Sequence, residues 1–191
     1  MAGHDPAGSG DYVIREALMS AAALAVCAAV LPHVPLHPDT VPSPAAVSSS
    51  PASDTLEITA VHEAGHVAVL HEFGIPVLHV EAAADGSGET AYPAGLNAYE
   101  YAVVDAAGQE SAAAWLMEHR GYTRENALAE TESAARSDLA DLQQDAARAG
   151  ISEAQARQRA RDIIRGHHTE IDAIAGRLMD RGSLDEHELE R

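Results

Sequence analysis

The sequence predicts a mainly α fold: a compact helical domain with a small β-hairpin or sheet, preceded by a Pro/Ser-rich linker and an N-terminal Ala-rich helix. Three observations lead there. Hydrophobic residues make up 46% of the 191 but aromatics only 4%, and much of the apolar share is alanine. A β-sandwich would draw on β-branched and aromatic residues instead. Capping pairs and glycine stops recur along 54–191, marking helix starts and ends. Proline and serine crowd residues 32–53, a stretch with little to bury. The length suits one ordinary domain and a tail, placed at 54–191 and 1–53.

In chain order, residues 1–16 are Gly-rich and polar and are expected to begin without fixed structure. Ala17 to Leu31 carries no charge and reads as a helix ended by Pro32. The linker PHVPLHPDTVPSPAAVSSSPAS then runs extended, because proline fixes φ and removes backbone donors. Asp54 and Glu57 make a capping pair, and Leu56, Ile58, Val61, Val67, Ala68 and Leu70 follow, giving a helix to about Phe73 that Gly74 stops. Val77–Glu81 and Glu89–Tyr92, joined across Asp85-Gly86-Ser87-Gly88, form a hairpin. Beyond Pro93 the chain reads as helices. One spans about Asn97 to His119 before Gly121, and one holds Glu125 to Ala149 before Gly150. A long helix opens on Ser152 with Gln155 and ends near Arg181, and a short last one opens on Ser183 with Glu186. Trp115, Leu116 and Met117 read as core.

The formal net charge is −18, and all 12 basic residues are arginine. Such a surface repels phosphates and offers no polybasic patch, which argues against nucleic acid and anionic lipid as partners. Ala17–Leu31 is short and weakly apolar for a membrane span, and no positive region precedes it. A cytoplasmic protein is expected, with membrane association through 17–31 as the alternative. The single cysteine, Cys27, leaves no internal disulfide and no zinc site built from several cysteines. A metal site would be made of histidine and carboxylate.

Such a set stands on the first domain helix as His62-Glu63-Ala64-Gly65-His66. Histidines four apart lie on one helical face, so both imidazoles can meet one ion. Glu63 lies at the edge of that face, where it can take a proton from a water bound to the ion. Gly65 costs ~1 kcal/mol against alanine in mid-helix, which points to a packing or functional reason. A third ligand must come from elsewhere, since Val69 and Glu72 stand where an extended motif would need its Gly and His. Glu81, Glu110, Glu130, Glu132, Asp138, Asp141 and Asp145 are all candidates, and the chemistry alone does not choose among them.

Four stretches resemble the peptidase domain of FtsH, a family of ATP-dependent, membrane-bound zinc proteases. They are AVHEAGHVAVL at 60–70, the hairpin region followed by VVDAAGQESA at 103–112, SDLA at 137–140, and the closing IIRGHHTEIDAIAGRLMDRGSLDEHELE at 163–190. The resemblance implies zinc ligands His62, His66 and Asp138, with Glu63 as general base; Asp141, one turn on, is the rival for the third place. It assigns no role to Glu110, which is displaced from the family's acidic position at Ala112. The family's ATPase module has no counterpart, because a chain without lysine has no Walker loop.

The activity these residues imply is zinc-dependent cleavage of peptide bonds in unstructured or partner-delivered polypeptide, with no ATP use of its own. A non-catalytic or narrowly regulatory zinc-binding module is the alternative. The expected partners are peptide or unfolded protein, with a homo-oligomer and a partner ATPase as further options. The Glu89–Tyr92 strand is a candidate edge for an extended peptide.

Overall fold

The structure is a computed structural model that describes residues 12–18 and 51–190. Ten elements follow in order: β1 (Tyr12–Leu18), α1 (Pro51–Glu72), β2 (His79–Ala82), β3 (Ser87–Pro93), α2 (Ala98–Arg120), α3 (Arg124–Thr131), α4 (Arg136–Ala149), α5 (Glu153–Arg181), β4 (Ser183–Asp185) and α6 (Glu186–Leu189). The fold is mainly helical, with one small antiparallel sheet in the order β1-β3-β2-β4.

The core forms around α1. Every residue from Thr59 to Leu70 is buried, so this stretch of the helix has no solvent face. It packs on α2, on α5 and on the sheet. Alanine makes this close approach feasible: Ala60, Ala64, Ala68, Ala102, Ala106 and Ala107 are fully buried where the helices meet. Larger side chains fill the rest, among them Leu70, Leu142, Ile174, Leu178, Leu184 and Tyr92. Close packing of this kind resists even one added methyl group.

Local signals explain most helix ends. Asn97 caps α2 in a reciprocal box with Glu100, and Ser152 caps α5 with Gln155. Gly121 and Gly150 close α2 and α4 in the left-handed region, at φ 68° and 70°, where a Cβ would be strained. The hairpin β2–β3 is present, turning through Ala83–Gly86.

Several expectations change. Helix α1 begins at Pro51 rather than at an Asp54 cap; Asp54 sits in its first turn and pairs with Arg120 at 2.8 Å. The expected helix from Glu125 to Ala149 is broken at Glu132–Ala135 into α3 and α4. Thr131 turns its hydroxyl back to the carbonyls of Ala127 and Leu128, and Ala134 and Ala135 are buried in the turn. Back-bonding and packing thus override helix propensity there. Ser183 lies in β4 rather than capping a helix, and the closing box is Asp185 with Glu188. Met117 is exposed, although Leu116 is buried as expected. Ala17 and Leu18, expected to begin a helix, end β1 instead; the rest of 19–31 and the linker to residue 50 lie outside the described residues. Strand β1 also falls within the segment expected as a separate tail. Among the described residues, no helix is long and apolar enough to cross a membrane.

Candidate metal centre

Helix α1 presents His62 and His66 one turn apart, with their ring centroids 4.9 Å apart. Asp138 arrives from the first turn of α4, where unpaired helix N–H groups favour a carboxylate. His62 Nε2 and Asp138 Oδ2 are 3.0 Å apart, the two Nε2 atoms 3.1 Å, and His66 Nε2 and Asp138 Oδ2 3.3 Å. All three residues are 2–3% exposed. Among the described residues this is the group of His, Cys, Asp or Glu whose donor atoms converge closely enough to hold a metal ion.

The donor set fits such an ion. Ligand atoms ~2.0–2.2 Å from a tetrahedral centre stand ~3.3–3.6 Å from one another, close to the spacings found. His66 Nδ1 donates to the Val104 carbonyl at 2.9 Å, which leaves its Nε2 to face the other two donors. Gly108 makes room: a Cβ there would stand 2.3 Å from His62 Nε2. Gly65 acts one step back, since its Cβ would meet Ser111 Cβ at 2.5 Å and the Ala107 carbonyl at 2.9 Å. The mid-helix glycine therefore sets how closely α1 approaches α2.

Charge in the centre is strongly coupled. Burial opposes a proton on His66, but the Asp138 hydrogen bond and charge outweigh it, and the imidazole is pushed up to about 9. Burial likewise opposes ionisation of Asp138, yet hydrogen bonds from His62 and His66 hold its carboxyl well below the usual range.

Glu63 lies 1% exposed beside these three. Burial raises its pKa above 4.5, against the pull of His62, His66 and a hydrogen bond from Thr90. Thr90 Oγ1 donates to Glu63 Oε2 at 2.7 Å, whereas Oε1 has no partner. A Cβ on Gly88 would stand 2.4 Å from that Oε1. One oxygen is thus anchored, and the other is left free in a space that only glycine permits.

The other candidate ligands are accounted for elsewhere. Glu110 is buried among Arg124, Arg157 and Arg161 at 2.6, 3.0 and 3.4 Å. Asp145 pairs with Arg148. Glu81, Glu130 and Glu132 are exposed, and Asp141 is half-buried outside the cluster. Thr90, Gly88, Gly108 and the Val104 carbonyl were not foreseen from sequence. Gly108 carried the same signal as Gly65, a costly glycine inside a helix, whereas Gly88 was hidden among turn residues.

No family model matches the chain, and no curated protein matches it. The resemblance to the FtsH family therefore rests on the quoted stretches alone.

Proposed function

We propose that the chain is a zinc-dependent peptidase of the FtsH type, acting on extended polypeptide. The observation that carries this reading is the split state of Glu63: Oε2 held by Thr90, and Oε1 unpartnered beside a His-His-Asp donor set. A purely structural metal site has no use for a second buried acid with a free oxygen. Two imidazoles and one carboxylate form a three-residue set of the catalytic kind, which leaves one position for water or substrate. Zinc held there would act as a Lewis acid, lowering the pKa of water bound to it toward ~7. Glu63 Oε1 would take the proton from the attacking water and return it to the leaving amine. Thr90 keeps the carboxylate from rotating, and burial keeps it basic enough to accept the proton.

The expected result for Glu63→Gln is retention of zinc with a loss of ~100-fold or more in peptide cleavage, because an amide accepts no proton. Undiminished cleavage would remove Glu63 from the mechanism.

One observation favours a second reading, a metal-stabilised binding module. His62, Glu63, His66 and Asp138 are only 1–3% exposed, and two surface cavities among the described residues lie elsewhere, one against Ile75–Val77 and another against Trp115. Casein digestion with and without chelator separates the readings: chelator-sensitive cleavage favours the peptidase, and intact casein favours the module.

A further inference from the structure

We propose that residues 12–18 of this chain are a resident occupant of the outer edge of β3, the edge on which the peptidase reading would seat extended polypeptide, and that they block it. That occupant has to leave before another polypeptide can pair there. The inference rests on the peptidase reading for its consequence, inhibition, but not for the binding itself.

The backbone of β3 settles which edge is which. The Ser87 carbonyl accepts from Ala83 N at 2.8 Å and the Ala91 carbonyl from Leu78 N at 2.9 Å. Ser87, Glu89 and Ala91 therefore direct their amides toward β2. Directions alternate along a strand, so Gly88, Thr90 and Tyr92 face the other edge. Strand β1 fills that edge from Tyr12 opposite Pro93 to Leu18 opposite Ser87, seven pairs where β2 makes four.

The placement bears on the metal centre. Arg15 stands opposite Thr90, and Ala17 opposite Gly88. These two β3 residues are the ones that anchor Glu63 and make room for it. Adjacent strands are ~4.8 Å apart, so the β1 backbone runs one strand spacing from those contacts. It also packs against α4, the helix that carries Asp138. Backbone pairing tolerates many sequences, which suits the edge to extended polypeptide in general. Being joined to the domain through residues 19–50, β1 competes as a tethered ligand, at an effective concentration on the order of mM.

Strand alternation selects the test. Arg15 and Ala17 face β3, so Arg15→Pro/Ala17→Pro removes two ladder donors. Ile14→Pro/Glu16→Pro removes two amides that face away and serves as the control. The full chain and both variants are titrated with a fluorescein-labelled YVIREAL peptide and followed by anisotropy. The first variant should bind at least ~10-fold more tightly than the unaltered chain, with the control close to the unaltered chain. Equal binding by all three, or no binding by a first variant with unchanged helical circular dichroism, overturns the proposal. Amide exchange on the unaltered chain decides without any variant. Gly88, Thr90 and Tyr92 should be protected as Ala91 is, and fast exchange there overturns the proposal. The peptidase reading is tested separately by casein digestion in the same samples: tight binding of the probe with casein left intact leaves the strand site standing and removes the hydrolase.

Discussion

Two carboxylates share one buried centre and are driven in opposite directions, Glu63 up and Asp138 down. The difference follows from what each touches. Asp138 faces two imidazoles at 3.0 and 3.3 Å, whereas Glu63 has a hydroxyl on one oxygen and nothing on the other. Asp138→Asn keeps the shape but removes the negative charge from the donor set, so metal retained after dialysis against a weak chelator should fall sharply. Asp141→Asn, outside the cluster, should retain metal as the unaltered chain does. The reverse result would move the third ligand by one turn. The imidazole also sets a pH dependence for protein stripped of metal. His66 rises from 6.5 to about 9 on folding, so its contribution is fully present below pH 6.5 and is lost as pH rises through about 9. Asp138 is depressed, so its contribution is present above 3.8 and is lost as pH falls through its folded value. The two are one interaction seen from both ends. Urea midpoints of the metal-free protein should therefore fall between pH 7 and about 9.5. Zinc-loaded protein should not show that fall, because the metal takes the place of the proton. A flat metal-free profile would dissociate His66 from Asp138.

At the scale of elements, two effects on one glycine oppose each other. Helix propensity alone makes Gly65→Ala stabilising by ~1 kcal/mol. The contacts say otherwise, since the new Cβ would lie 2.5 Å from Ser111 Cβ and 2.9 Å from a carbonyl that cannot move alone. Overpacking of this kind costs about 1–3 kcal/mol, so a net loss is expected in chemical denaturation. A gain would mean that α1 and α2 can part cheaply. The same contrast between local and distant information explains what could be read beforehand. The His62–His66 spacing is a property of one helix, and so were the glycine stops at 121 and 150. Asp138 lies 76 residues from His62, and no local pattern set it apart from six other acids; only the likeness of SDLA to a known segment did. Nothing in the run of Glu132 to Ala135 breaks a helix by composition, so the division of α3 from α4 was illegible. Strand β1 was missed for the same reason, because among the described residues it pairs with β3 alone, far along the chain.

For the whole molecule, the packed core described here is drawn from residues 60 to 189. A chain beginning at Pro51 is therefore expected to keep its helical signal and bind zinc. It should also self-associate with rising concentration, because the freed edge of β3 is a template for another strand. Circular dichroism and sedimentation velocity check both halves. Loss of the helical signal would show that residues before Pro51 complete the core, and a strict monomer would show that the edge is blunted by other means. The glycine contacts carry a mechanical consequence as well. On the helix side, α1 meets α2 with Gly65 against Ala107 and Ser111, and Gly108 against the His62 ring, leaving no space for a single methyl group. On the sheet side, the outermost layer is one strand attached by backbone hydrogen bonds. The centre thus lies between a close-packed helix seam and a sheet whose edge strand is β1. If β1 leaves β3 as proposed, the sheet side is where the cover over Glu63 thins, whereas the helix seam has no such removable layer.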